Sequence, residues 1–132
     1  MQNSNDSDIA DTNQYITLYR GVSSNAKGSM YAEAMMGTAI PNGLRPGQVA
    51  HSNMGDHAMG DNYSIWTSWT KDPSVARNFA TNYGVIPGVI LSQKFKLGQA
   101  IPNISETAKL MQEGEWLVTG PVMGAQVQHI KP

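Results

Sequence analysis

Apolar and polar positions alternate in short runs along the chain, and this pattern is typical of strands. The stretch "YITLYRGV" alternates and is rich in aromatic and β-branched residues, so it predicts a strand over Tyr15–Tyr19. The short apolar runs "GVILSQKFKL", "EWLVTG" and "AQVQHI" predict three more strands. Another strand is expected in "SIWTSWT", which ends on a run of hydroxyls and tryptophan. We therefore expect five or six strands.

Two or three short helices are predicted between these strands. "SMYAEAMM" contains good helix formers and is followed by Gly37, a typical stop. Asp72 is a good N-cap, and Pro73 suits the first position of the next helix. Residues at helical spacing predict one apolar face on that helix: Val75, Ala76, Phe79, Ala80 and Tyr83. A third helix is expected in "NISETAKLMQEG", capped by Asn103 or Ser105.

The region from Pro41 to Asn62 is rich in turn residues and predicts a long loop, which in a compact domain is usually functional or mobile. The elements show no regular βαβ alternation. This order favours an α+β or mostly-β domain with a split or sandwiched sheet over a doubly wound one.

Composition limits the alternatives further. The length of 132 residues fits one domain, which we place at residues 14–132, after a polar flexible tail or linker remnant at residues 1–13. A net charge of −1 gives no general affinity for nucleic acid or an anionic membrane. No leader pattern or membrane-spanning stretch is expected. The chain has no cysteine, and the six-residue spacing of His51 and His57 matches no strong metal motif. We interpret both histidines as solvated loop residues and predict no metal site.

Three clusters at predicted strand ends carry candidate chemistry. The first is "LYRGV", where Arg20 precedes Gly21. Its planar guanidinium suits a phosphate, and the glycine allows a ligand to approach the backbone. The alternative is an ordinary surface arginine before a turn.

The other two clusters are "TSWT" and "QEGEWLV". Ser68 at a strand end can orient a carboxylate, although hydroxyls also occur there through β propensity alone. Glu113 and Glu115 are two residues apart, so in an extended chain they point the same way. Glu115 opens an apolar strand, where a carboxylate is partly desolvated and is more often functional. The alternative is a loop with two solvated acids.

Taken in order, these clusters resemble the Arg-Ser-Glu class of mono-ADP-ribosyltransferases. They also resemble the C-terminal toxin domains of bacterial polymorphic toxins, including the Rhs type. The resemblance covers Tyr15 to Val118, and "TSWTKDPSVARNFA" is its most specific part. The Ser-Thr-Ser motif of that class reads Ser68-Trp69-Thr70 here, so two of its three positions differ. The chain is also short, so target-binding loops of larger relatives are expected to be missing.

The resemblance implies an ADP-ribosyltransferase-like split β-sandwich of two small sheets, with NAD as substrate and no metal. Arg20, Ser68 and Glu115 would be catalytic. Glu115 would hold the ribose hydroxyl and stabilise the oxocarbenium cation, Ser68 would orient Glu115, and Arg20 would grip the pyrophosphate. Glu113 would activate the acceptor.

The resemblance also implies further contacts with NAD. The Gly21 backbone would meet the nicotinamide amide, and Thr70 would support the strand and touch the ligand. Phe79 or Tyr83 would stack near the nicotinamide ring, although helical spacing favours a core position for both.

The implied partners are a macromolecular target and a cognate immunity protein that occludes the cleft. The target would be a protein of translation or cell division, such as an elongation factor; the charge disfavours nucleic acid, and no membrane is implied. The toxin likeness implies delivery by a specialised system, such as type VI secretion, and action in the target-cell cytoplasm. Two alternatives stay open. One is an NAD glycohydrolase on the same fold, and the other is a non-catalytic binding module in which the three residues only stabilise turns.

Overall fold

The computed structural model describes residues 14–58, 64–111 and 114–132, and these ranges form an α+β structure. A six-stranded antiparallel sheet carries a few short helices. The strands are β1 Tyr15–Ser23, β2 Trp66–Thr70, β3 Gly88–Lys96, β4 Ala100–Pro102, β5 Glu115–Thr119 and β6 Gln126–Ile130. The helices are α1 Met30–Met35, α2 Met54–Ala58, α3 Pro73–Ala80 and α4 Glu106–Met111, and a 3-10 turn spans Asn42–Leu44.

Most predicted elements are present, with different bounds. The first strand is longer than predicted and continues to Ser23. The predicted cap of α3 is confirmed, because the Asp72 side chain accepts a hydrogen bond from Ser74 N at 2.8 Å and proline occupies the first turn. Two elements were not predicted: the three-residue strand β4, and the helix α2 within the expected loop.

The strands are hydrogen-bonded in the order β4-β5-β2-β1-β3-β6. β1 and β3 pair along their full length, and β2 pairs with β5 along all five of its residues. In contrast, β1 and β2 are joined at one register pair, Tyr19 with Thr70. We expected two small sheets, but the six strands form one sheet. In the described ranges, its two halves are joined only by the single β1–β2 register pair.

The main core covers one face of the sheet. Its largest fully buried side chains include Leu18 of β1, Leu91 and Phe95 of β3, and Val118 of β5. Trp69 joins this core: its ring meets Phe95 edge-on, with centroids 5.0 Å apart. The side chain of Ser68, between Thr67 and Trp69, points to the other face of the sheet, because successive side chains of a strand alternate between the two faces. The pattern "TSWT" therefore places Ser68 away from the main core.

Helix α3 packs closely on β1 and β3 because two glycines leave room for its backbone. A Cβ at Gly21 would lie 1.9 Å from Ala76 O, and one at Gly88 would lie 1.8 Å from Ala80 O. Both distances are far below van der Waals contact. Ala76 and Ala80 are buried there against Ile90 and Ile130, forming a smaller second core.

The predicted core positions of Phe79 and Tyr83 are wrong. Phe79 is 42% exposed and Tyr83 is 66% exposed. The helix ends at Ala80, and the chain then turns through positive φ values at Asn82 and Tyr83, so Tyr83 does not continue the helical face.

Candidate functional site

The β2–β5 register brings Ser68 and Glu115 to the same face of the sheet. Glu115 lies opposite Thr70, and Ser68 is two residues before Thr70 on its strand. Ser68 Oγ donates a hydrogen bond to Glu115 Oε2 at 2.5 Å. The contact expected between these two side chains is therefore present, across 47 positions of sequence.

Arg20 joins the same group across the narrow connection between β1 and β2. An unbroken ladder continuing from the Tyr19–Thr70 pair would place Gly21 opposite Ser68. Instead, Arg20 Nη1 donates to the Ser68 carbonyl oxygen at 3.1 Å. Arg20 thus contacts the backbone of Ser68 and experiences the charge of Glu115, whereas the direct contact between side chains is that of Ser68 with Glu115.

The guanidinium of Arg20 is more enclosed than the expected open fork. Among the described residues, its Nε has no hydrogen-bond partner although it is buried. Burial lowers the pKa of Arg20 to about 10, and the negative charge of Glu115 partly offsets this effect. Arg20 therefore stays protonated at neutral pH, with one buried donor unused.

His57 is a site residue that the sequence reasoning missed. It lies on α2, its side chain is 9% exposed, and the interpretation as a solvated loop histidine is wrong. His57 Nε2 lies 2.6 Å from Ser68 Oγ and 3.3 Å from Glu115 Oε2. Its Nδ1 lies 2.5 Å from the hydroxyl of Ser64, which is almost fully buried.

Asn103 is the second residue that was missed in this role. Its Nδ2 donates to Glu115 Oε1 at 2.7 Å and to the Met54 carbonyl of α2 at 3.0 Å. Of the two predicted caps for α4, Ser105 accepts from a backbone N–H inside the helix, Ala108 N, at 3.1 Å. Asn103 Oδ1 accepts from Ser105 N at 3.0 Å, while its Nδ2 donates to the Glu115 carboxylate and to the Met54 carbonyl.

The electrostatics of Glu115 favour its ionised form. Burial raises the pKa of Glu115, but hydrogen bonds from His57, Ser68 and Asn103, helped by the charge of His57, lower it below its usual value overall. A carboxylate that accepts several hydrogen bonds keeps its charge despite partial burial. Glu115 is therefore an oriented negative charge whose side chain is only 15% exposed.

The group differs from a Ser-His-acid hydrolytic triad. In such a triad the acid binds the imidazole nitrogen that faces away from the serine. Here Glu115 and Ser68 lie at the same nitrogen of His57, and a serine hydroxyl lies at the other. Ser68 also donates its proton to the carboxylate. This geometry orients Glu115 and does not activate Ser68 as a nucleophile.

The other predicted contacts have structural roles of their own. Gly21 is required by the packing of α3, so its identity alone gives no support to a ligand contact. Thr70 is buried, and its hydroxyl accepts from Asp72 N at 3.1 Å in the turn before α3. Phe79 lies beside Tyr83, with ring centroids 6.3 Å apart, on an exposed surface. Glu113 lies outside the described residues.

One sequence signal pointed towards His57. The long loop at residues 41–62 was expected to be functional or mobile, and a short helix within it carries this histidine into the site. Nothing in the local sequence pointed to Asn103. In the described ranges, no three His, Asp or Glu side chains are grouped so that they could hold a metal ion. None of the helices described is both long and apolar enough to cross a membrane.

Comparison with known proteins adds no family to this picture. No protein-family model matches the chain, and no curated protein matches it.

Proposed function

We propose that this protein is an NAD-dependent mono-ADP-ribosyltransferase. The observation that carries the proposal is the 2.5 Å hydrogen bond from Ser68 to Glu115, with Arg20 bound to the same serine through its carbonyl. These are the residues that the Arg-Ser-Glu motifs single out, in the same order. A module in which they only stabilise turns gives no reason for them to converge.

The proposed reaction breaks the bond between the nicotinamide nitrogen and C1′ of the ribose. The bonding electrons leave with nicotinamide, and the ribose becomes an oxocarbenium cation. Glu115 accepts a hydrogen bond from the ribose hydroxyl, and its charge stabilises the cation as it forms. A nucleophile of the acceptor then bonds to C1′ and loses its proton, which Glu113 accepts under the role proposed for it.

The surroundings of Arg20 favour an anionic substrate. A buried guanidinium with an unused donor is costly, and a phosphate is a suitable partner for it. We assign Arg20 to the pyrophosphate, the Gly21 backbone to the nicotinamide amide, Thr70 to support of the strand and a contact with the ligand, and Phe79 to stacking on the ring. The exposure of Phe79 is compatible with that last contact.

We further propose the split sandwich of the ADP-ribosyltransferase fold as the finer architecture. The single register pair between β1 and β2 supports it, because the strands on either side form two extensively paired halves. The proposed biological role is that of an antibacterial toxin domain of the polymorphic, Rhs-like type, delivered by a specialised secretion system. Its target would be a protein of translation or division, and an immunity protein would cover the site.

An NAD glycohydrolase is the second candidate. The side chains of His57 and Glu115 are only 9% and 15% exposed, and so enclosed a site favours a small acceptor such as water. The chemistry at C1′ would be the same, with water in place of the acceptor side chain.

One experiment separates these candidates. The purified chain is incubated with NAD labelled in its adenylate part and a bacterial lysate, and both nicotinamide release and labelled macromolecules are measured. Transfer predicts a labelled band, whereas hydrolysis predicts nicotinamide release without one. Glu115→Gln should reduce both signals by roughly 10²- to 10³-fold, and Glu106→Gln, at an exposed position of α4, should reduce neither. Absence of both signals from the unaltered chain would refute both enzymatic candidates.

A further inference from the structure

The Glu115 carboxylate is held by three separate parts of the chain. Oε2 is bound by Ser68 of β2 and lies 3.3 Å from His57 of α2. Oε1 is bound by Asn103, which lies between β4 and α4. The Arg-Ser-Glu motifs account for the serine alone. The histidine and the asparagine need an explanation of their own.

The His57 ring is fixed from both of its nitrogens. Ser64 Oγ lies at Nδ1, and the same hydroxyl accepts from Trp66 N at 3.3 Å, so it is anchored to the strand that carries Ser68. The ring also meets Trp66 edge-on, with centroids 6.1 Å apart. Nε2 is thereby directed at the carboxylate and the serine hydroxyl. A solvated histidine would have none of these constraints.

Asn103 is fixed in a comparable way. Its two donor bonds link Glu115 to the Met54 carbonyl, and its oxygen accepts from Ser105 N at the start of α4. The residue is buried, so these bonds do not compete freely with water. Asn103 therefore ties the helix that carries His57 to the carboxylate that His57 contacts.

We propose that His57 and Asn103 are positioning residues, which together with Ser68 form a clamp on Glu115: Asn103 and Ser68 donate to the carboxylate, and His57 Nε2 lies 2.6 Å from the Ser68 hydroxyl and 3.3 Å from Oε2. The clamp holds one carboxylate oxygen with Asn103 and the other with Ser68 and His57, so that its orientation is set before substrate binds. This inference rests on the proposed function, in which Glu115 acts on the ribose. In the part of the chain that the structure describes, the titratable groups that interact electrostatically with Glu115 are His57 from α2 and Arg20 from β1.

The test follows the Glu115 carboxyl directly by ¹³C NMR of chain labelled at the glutamate carboxyl carbons. The Glu115 signal is assigned by its absence from Glu115→Gln. In His57→Phe and Asn103→Leu, which remove the donors, the pKa of Glu115 should rise above its wild-type value. His57→Gln, which keeps a donor, should restore part of the difference. The matched controls His129→Gln and Asn78→Leu, at exposed positions, should leave it unchanged.

An unchanged pKa of Glu115 in both donor-free variants would overturn the proposal. If those variants do not fold, the unaltered chain still decides: the ¹⁵N shift of His57 Nε2 should follow the titration of Glu115, and a ring insensitive to it would overturn the clamp. With NAD, the donor-free variants should lower kcat about 10²-fold with a smaller effect on KM, since misplacement of a catalytic group has that magnitude. As the pH is lowered, the rate of these variants should begin to fall at a higher pH than the rate of the unaltered chain, because Glu115 with a raised pKa is protonated earlier.

The two proposals can fail separately. The NMR titration requires no turnover, so a chain without activity towards NAD would refute the proposed function and leave the clamp to be judged by the titration alone.

Discussion

Replacing Glu115 by glutamine is the sharpest test of the site, because it keeps the size of the side chain and removes its charge. The amide oxygen can still accept from Asn103 at 2.7 Å. The amide NH₂, however, would face Ser68 Oγ and His57 Nε2, where the carboxylate accepted hydrogen bonds. Ser68 must then turn its own proton elsewhere. Arg20 also loses the negative charge that partly offsets its burial.

These losses give two separate magnitudes. Removing one charge-assisted hydrogen bond and leaving a donor against a donor should lower the free energy of unfolding by about 1 to 3 kcal/mol. Removing the charge beside the developing cation should lower kcat by roughly 10²- to 10³-fold, as the loss of a single electrostatic contact to a transition state does elsewhere. This fall in kcat is larger than the loss in unfolding free energy can cause as long as the chain stays folded.

The assay is nicotinamide release at saturating NAD, measured together with urea unfolding of the same preparation. Glu106→Gln is the matched control, since it is the same substitution on an exposed helical position. A Glu115→Gln chain that is folded and turns over NAD at the wild-type rate would refute the catalytic assignment. A rate that falls only in proportion to the unfolded fraction would show that Glu115 is structural.

Three other outcomes are expected. Gly21→Ala should lower the free energy of unfolding by at least about 2 to 3 kcal/mol, because its Cβ would meet the Ala76 carbonyl oxygen at 1.9 Å and backbone cannot yield easily; urea unfolding measures this. Glu113→Gln should abolish labelling of the acceptor and retain some nicotinamide release, measured in the same reaction. Because the pKa of Glu115 is lowered in the folded chain, its carboxylate stabilises the fold at pH values above its usual pKa of 4.5, and this stability is lost as the pH falls towards the folded pKa. The free energy of unfolding should therefore depend less steeply on acid pH in Glu115→Gln.

Each of these expectations has an outcome that contradicts it. Gly55→Ala is the control for Gly21, because a Cβ there meets nothing closer than 3.4 Å. Equal stability of Gly21→Ala and wild type would show that α3 does not pack as described. Equal loss of transfer and hydrolysis would move Glu113 to substrate binding or to the fold. If the free energy of unfolding depends on acid pH in the same way in Glu115→Gln and in wild type, Glu115 does not contribute to the pH dependence of stability.

The parts that the sequence predicted well are those with local causes. Alternation of apolar residues identified β1, and the Asp72-Pro73 pair identified the start of α3. The contact of Ser68 with Glu115 is not local; it was expected from the resemblance of the motifs to the Arg-Ser-Glu class. A hydroxyl between two inward-facing residues of a strand has to point to the other face.

The parts that were missed depend on contacts between distant residues. Helix α2 has five residues, one of them glycine, and its periodicity is too short to stand out from a turn-rich region. Asn103 looked like a helix cap because its partners, Met54 and Glu115, are far away in sequence. Tyr83 had helical spacing in the sequence, but the helix ends at Ala80 and the backbone has positive φ values at Asn82 and Tyr83.

The long sequence separations within the site have a kinetic consequence. Arg20 and Ser68 are 48 positions apart, and Ser68 and Glu115 are 47 apart. Contacts of this kind form after large loops have closed, so folding through them is slow, and no local segment can assemble the site alone. Strand β5, which carries Glu115, lies between β2 and the three-residue β4, close to the edge of the sheet. A local opening that detaches β5 would remove the carboxylate from Ser68 while the β1–β3 pairing persists, so function can be lost at a lower free energy than global unfolding requires.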